Sequence, residues 1–144
     1  MENYLWLVYA LLSAVAAAMV SVFGKIGLQG LDAHTATAVR AVIMAAFLAA
    51  VAVFQRRWEH LPELWADKRA MTFILLSGVA GALSWLFYFT ALKYGKVSQV
   101  APVDKLSVVL AATAAVVFLH ETVSVMSAAG IGLITAGIIL VALG

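Results

Sequence analysis

The stretch Val97–Leu119, VSQVAPVDKLSVVLAATAAVVFL, decides the fold. Crossing the hydrocarbon of a bilayer as a helix takes roughly 20 apolar residues, and this run is long enough. Yet Asp104 and Lys105 place a carboxylate and an ammonium side by side within it. On an insertion scale each charge costs about 2.5–3.5 kcal/mol at a helix centre, while each Leu, Val or Phe returns about 0.3–0.6 kcal/mol. Eleven such residues stand in the run, so insertion roughly breaks even. A helix balanced in this way is expected to face protein or water rather than lipid. At about 1.5 Å per residue, both charges lie on the order of 10–12 Å past Val97.

The surrounding composition makes lipid the solvent. Of 144 residues, 65% are hydrophobic and only 11% are charged, against about 45–50% and 25% in an ordinary soluble domain. Four further apolar runs are long enough to span, at about 4–28, 35–55, 71–91 and 123–144. Helices are expected, because each satisfies its own backbone hydrogen bonds in lipid. The fold class is therefore an all-α membrane protein of five transmembrane helices. No basic residue precedes the first run in Met1-Glu2-Asn3-Tyr4-Leu5-Trp6, so it is expected to be a span rather than a cleaved leader. A pI near 9.1 raises nucleic acid as a partner. A formal charge of +2 spread between apolar runs fits the basic flanks of membrane helices instead.

The connections are short except for the second, residues 55–69, which holds Trp58, Leu61 and Trp65 around Pro62. These three could share a helical face at the headgroup level, but Pro62 in the middle favours a solvated loop with interfacial tryptophans. Ser124 is an expected N-cap for the last span. Five spans put the termini on opposite sides. Arg56, Arg57, Lys68 and Arg69 face one side; Lys93 and Lys96 face the other, with Lys25 and Arg40 near its span ends. If the last two count, the balance is even and the chain inserts both ways; if they lie too deep, one orientation is fixed.

Neighbours on a helix stand about 100° apart and do not face each other, so Asp104 and Lys105 are expected to need other partners. Asp104 against Arg40, with Lys105 lining a wet cavity, is the preferred arrangement. Ionisable groups inside a membrane are functional candidates by default, the structural alternative being an ion pair that fixes helix register. Ser13, Ala17, Ser21 and Lys25 form a small polar line on the first span; Ser77, Gly81, Ser84 and Tyr88 form another on the third, beside Trp85. Such lines suit either a solute cavity or close helix packing. On the last span, Ala128, Gly132 and Ala136 make a small-residue ridge, with Gly130 and Gly137 seven apart, a pattern that lets backbones approach.

No arrangement supports enzyme chemistry. The serines lack a His and carboxylate in a recognisable set, and no phosphate-binding glycine loop stands outside an apolar run. There is no Cys, and His34, His60 and His120 lack metal-site spacing, so neither metal nor cofactor is expected.

These residues together resemble one five-helix module of the EamA type within the drug/metabolite transporter superfamily. The resemblance rests on Arg40 opening the second span, on ALKYGKVSQVAP at 91–102 with its Ser98, on Glu121 at the last junction, and on the series Glu121, Ser124, Gly130, Leu133, Gly137. It covers essentially the whole chain. It implies a multi-pass inner-membrane transporter of a small organic solute, exchanged or driven by protons, working by alternating access. Family members commonly carry two such modules in inverted orientation. A single module implies that an identical chain supplies the second, as an antiparallel ten-helix homodimer, in keeping with inverted-repeat transporters generally. Asp104, Lys105, Arg40, Lys25, Ser84, Trp85 and Tyr88 are the expected substrate or coupling residues, and Gly130, Gly132 and Gly137 the expected dimer contact. The related small multidrug resistance proteins use a carboxylate in their first helix, which is absent here, and two-module relatives usually keep the position of Asp104-Lys105 apolar. A dual-topology ion channel and a non-transporting accessory subunit are the alternatives.

Overall fold

The structure is a computed structural model that describes residues 4–144. The part of the leader reading that falls on residues 1–3 lies outside them. Seven α-helices are present among the described residues, with no strand: α1 Leu5–Gly27, α2 Ala33–Phe54, α3 Leu61–Ala66, α4 Lys68–Tyr94, α5 Val97–Asp104, α6 Leu106–Leu119 and α7 Val125–Leu143. Helices α1, α2, α4 and α7, together with the 97–119 run formed by α5 and α6, are five segments long and apolar enough to cross a membrane. The expected spans agree with them to within about three residues at each end.

Local chemistry sets the ends. Asp32 caps α2 by accepting from Thr35 N at 2.8 Å and Thr35 Oγ1 at 3.1 Å. Asp67 does the same for α4 through Ala70 N at 3.0 Å. Ser124 caps α7 as expected, accepting from Ser127 N at 3.1 Å. Each satisfies a backbone donor that a helix start leaves without an internal partner. At the other ends, Arg56 and His120 adopt left-handed conformations with φ of 54° and 56°. The N–H groups of His120 and Glu121 both reach back to Ala115 O, Glu121 at 3.2 Å.

Two expectations are corrected. The connection after α2 is helical rather than an open loop: Arg57–His60 forms a 3₁₀ turn that runs into α3. Pro62 does not block this, because it stands in the first turn of α3, where its missing N–H would have had no partner. Trp58 and Trp65 remain exposed there. The fourth span is also not one uninterrupted α-helix. Pro102 cannot donate to the carbonyl four residues back, and at Lys105 ψ is −3°, far from the helical value of about −42°. Around it the bonds tighten to i→i−3, Lys105 N to Pro102 O at 3.0 Å and Val108 N to Lys105 O at 2.9 Å, the 3₁₀ pattern that marks a break within a helix.

The described residues divide into two compact units, one of residues 4–22 with 94–144, the other of residues 23–93. In the first, α7 packs on α5 and α6, and Ile138 is buried. In the second, the buried apolar residues are Leu28, Ala33, Phe89 and Leu92. Apart from these five, the large apolar side chains are largely uncovered, Phe54 at 91% and Leu143 at 82% exposure among them. Water would not tolerate that surface; a bilayer does, because lipid tails are as apolar as the side chains. This is a multi-pass membrane protein.

Candidate functional site

In the unit of residues 23–93, Arg40 is the centre of a ring cluster. It stands seven residues past Ala33, on the order of 10 Å along α2. Its guanidinium carbon lies 3.5 Å from the centroid of the Trp85 ring and 4.4 Å from that of Phe89. The two rings stack on one another at 5.7 Å with planes 16° apart. Tyr88 meets both edge-on, at 6.4 Å and 5.7 Å. Helical spacing explains the assembly: Trp85 and Phe89 are four residues apart on α4 and share a face. A cation over an aromatic face gains about 0.5–2 kcal/mol, more as water is excluded.

The hydrogen bonding of Arg40 is incomplete. Nη2 reaches Met44 Sδ, one turn along α2, at 3.4 Å, and a thioether is a weak acceptor. Nε and Nη1 are shielded and have no hydrogen-bond partner among the described residues. Such donors are the exception in folded proteins, where buried polar groups are otherwise paired.

One turn from the rings the chemistry becomes more polar. Gly24 and Phe89 are in direct apposition, with room for no side chain on the glycine: a Cβ there would stand 2.3 Å from Phe89 Cε1. Next to Gly24, Lys25 Nζ donates to Leu92 O. That carbonyl belongs to the last turn of α4, where carbonyls lack internal partners and a cation is favoured by the helix dipole. Lys25 thus caps α4. Lys25, Gln29, Asp32, Leu92 and Lys93 are among the residues lining an open cavity of about 490 Å³. The carboxyl of Asp32 is held below its ordinary range by the backbone N–H of Thr35, then by the Thr35 hydroxyl, with His34 and Lys93 adding to the effect. A larger groove of about 540 Å³ opens around Arg57, Trp58, His60 and Glu63. It contains none of the residues expected to contact substrate, though Trp58 and Leu61 of the second connection line it.

In the other unit, Asp104 and Lys105 meet directly, Nζ to Oδ2 at 3.3 Å. This corrects the expectation that helical geometry keeps them apart. The φ of −69° at Lys105 is helical, so the step between the two side chains is that of neighbouring helical positions, and the long Lys105 side chain reaches across it. The pair is nonetheless open, with the side chains of Lys105 and Asp104 53% and 34% exposed. Gly130, Gly132 and Gly137 face open space, with nothing within 4 Å of an added Cβ.

Of the residues named from sequence, the structure brings Arg40, Trp85 and Tyr88 together, and Asp104 with Lys105. Ser84 is exposed and makes no described contact with the rings. Phe89, Gly24 and Met44 were not anticipated. The four-residue steps Trp85–Phe89 and Arg40–Met44 were a signal for two of them, whereas Gly24 is recognisable only from the contact between helices.

The chain matches the sequence model of the EamA-like transporter family over residues 4–143. A protein of Sinorhizobium sp described as "Uncharacterized transporter in cobO 3'region" is 40% identical over 137 residues, covering 95% of this chain and 96% of that protein. No solved structure matches the chain.

Proposed function

The chain belongs to the EamA-like transporter family, and from that premise we propose that it is a secondary transporter of a small organic solute across the inner membrane. The match of the family along nearly the whole chain is the observation that carries this reading. The chain acts as one five-helix module, and an identical, oppositely inserted copy supplies the second. Two features support the pairing: the nearly even Lys/Arg count on the two sides, and the glycines of α7, Gly130 with Gly137 on one face and Gly132 on another, beside which no described residue stands within 4 Å of an added Cβ. Inverted modules about a midplane site are the usual geometry of such transporters.

Two polar centres supply the working parts. Arg40 with Trp85 and Tyr88 forms a substrate contact, in which rings give shape and the guanidinium gives orientation. Asp104 and Lys105 act in coupling: their exposed pair stands at the break between α5 and α6, so it opens or changes partner as the modules rock. Lys25 and Ser84 line the route. Rocking of inverted modules around a site formed by broken helices is a known mode of alternating access.

The test is reconstitution of the purified chain alone, using solutes found by thermal-shift screening. Saturable, temperature-sensitive counterflow is expected. Large unitary currents without counterflow would instead make the protein a channel, and inactivity of a monodisperse reconstituted dimer would make it an accessory subunit.

A further inference from the structure

The geometry points to a carboxylate-binding site at Arg40, so that the transported solutes are monoanions; this rests on the reading of the protein as a transporter. The inference begins with the two guanidinium nitrogens, Nε and Nη1, that are shielded without a partner among the described residues. A cation kept in an apolar span with unmet donors is costly, and rings satisfy its charge only from the face. Its in-plane N–H groups need an oxygen acceptor. Within its own unit the described carboxylates are engaged or distant in sequence: Asp32 with Thr35, Asp67 with Ala70, Glu63 with His60, and Glu59 in the 3₁₀ turn beyond the far end of α2. A ligand carboxylate supplies the oxygen acceptors that these donors need.

The charge balance selects the class. One guanidinium among Trp85, Phe89 and Tyr88 neutralises one negative charge, so a carboxylate leaves the site neutral, whereas a phosphate dianion leaves an excess charge among apolar rings. The cavity one turn away carries Lys25 and Lys93 against Asp32, an excess of positive charge that attracts anions. The walls divide the labour. Phe89 is 3% exposed and abuts Gly24, which fixes it as the floor. Trp85 is only half-buried and serves as the movable cover whose displacement admits the anion to Nε and Nη1.

The experiment uses the full chain with Trp6, Trp58 and Trp65 replaced by Phe, leaving Trp85 as the reporter. Trp85 fluorescence is titrated with benzoate, benzyl alcohol and benzylamine, three probes that differ in the charge beside one ring. Benzoate is expected to bind saturably and at least roughly tenfold more tightly than the other two, the scale of a hydrogen bond to a charged group. Arg40→Gln is expected to lose that preference, and Arg40→Lys to retain part of it. Equal affinity for the three probes, or an unchanged benzoate affinity in folded Arg40→Gln, overturns the site. If Arg40→Gln does not fold, the probe preference of the parent decides alone. Counterflow of benzylamine without benzoate binding overturns the anion site and leaves the transporter reading standing. Benzoate binding at Trp85 in a protein that moves no solute keeps the site and overturns transport.

Discussion

Gly24→Ala puts two opposed effects on one atom. In a helix, Ala is favoured over Gly by about 0.8–1.0 kcal/mol, so the substitution should stabilise α1 by itself. The new Cβ, however, would stand 2.3 Å from Phe89 Cε1 and 3.0 Å from Cζ. Carbon atoms rest at about 3.5–4.0 Å, so the ring must withdraw by roughly 1.2 Å or more. It has little freedom to do so: Trp85 stacks on it at 5.7 Å, Tyr88 abuts it edge-on, and Arg40 lies over it. Overpacking of this kind costs about 1–3 kcal/mol. The net expectation is destabilisation of about 0–2 kcal/mol. In a Phe89→Leu background the clash is gone and the propensity term remains, so the same substitution should now stabilise. Unfolding by denaturing detergent in mixed micelles measures all four proteins of this double-mutant cycle. A Gly24→Ala effect of the same sign and size in both backgrounds would refute the contact and the fixed floor of the Arg40 site that depends on it.

Other expectations follow from single residues. Lys105→Met should stay folded yet lose counterflow; a folded variant working at the parental rate removes the Asp104–Lys105 pair from the mechanism. His120→Gly should be neutral or stabilising by up to about 1 kcal/mol, because the left-handed conformation at φ 56° penalises any side chain, while His120→Val should destabilise in the same unfolding assay. Ser124→Ala should cost about 1 kcal/mol through loss of the α7 cap. The carboxyl of Asp32 is held below its ordinary value of 3.8, so its cap is fully present above that value and is lost as the pH falls through the lowered one. Asp32→Asn, which still caps, should remove that acid-side step from a stability profile against pH.

What the sequence revealed, and what it hid, divides along physical lines. Span lengths and ends were legible because lipid imposes a length and because caps such as Ser124 are local. Arg40, Trp85 and Tyr88 stood out because polar and ring groups are conspicuous in apolar runs. The break at Lys105 was hidden by treating 97–119 as one regular helix, although Pro102 was present as a warning; the meeting of Asp104 with Lys105 was missed because the reach of a long lysine side chain was left out of the helical-angle argument. The helical connection at 57–66 was missed because Pro62 was weighed as an interior residue rather than a first-turn one. The apposition of Gly24 and Phe89 depends on two segments far apart in the chain, and no local pattern carries it.

The most direct test of the central claim, that one kind of chain supplies both halves of the transporter, uses the absence of cysteine in the sequence. A single Cys introduced by Gly144→Cys can be labelled in intact cells with a membrane-impermeant maleimide. The account predicts that roughly half of the protein is labelled from outside and the rest only after permeabilisation, as near-balanced Lys/Arg flanks imply. Labelling of all of the protein, or of none, from outside would contradict it.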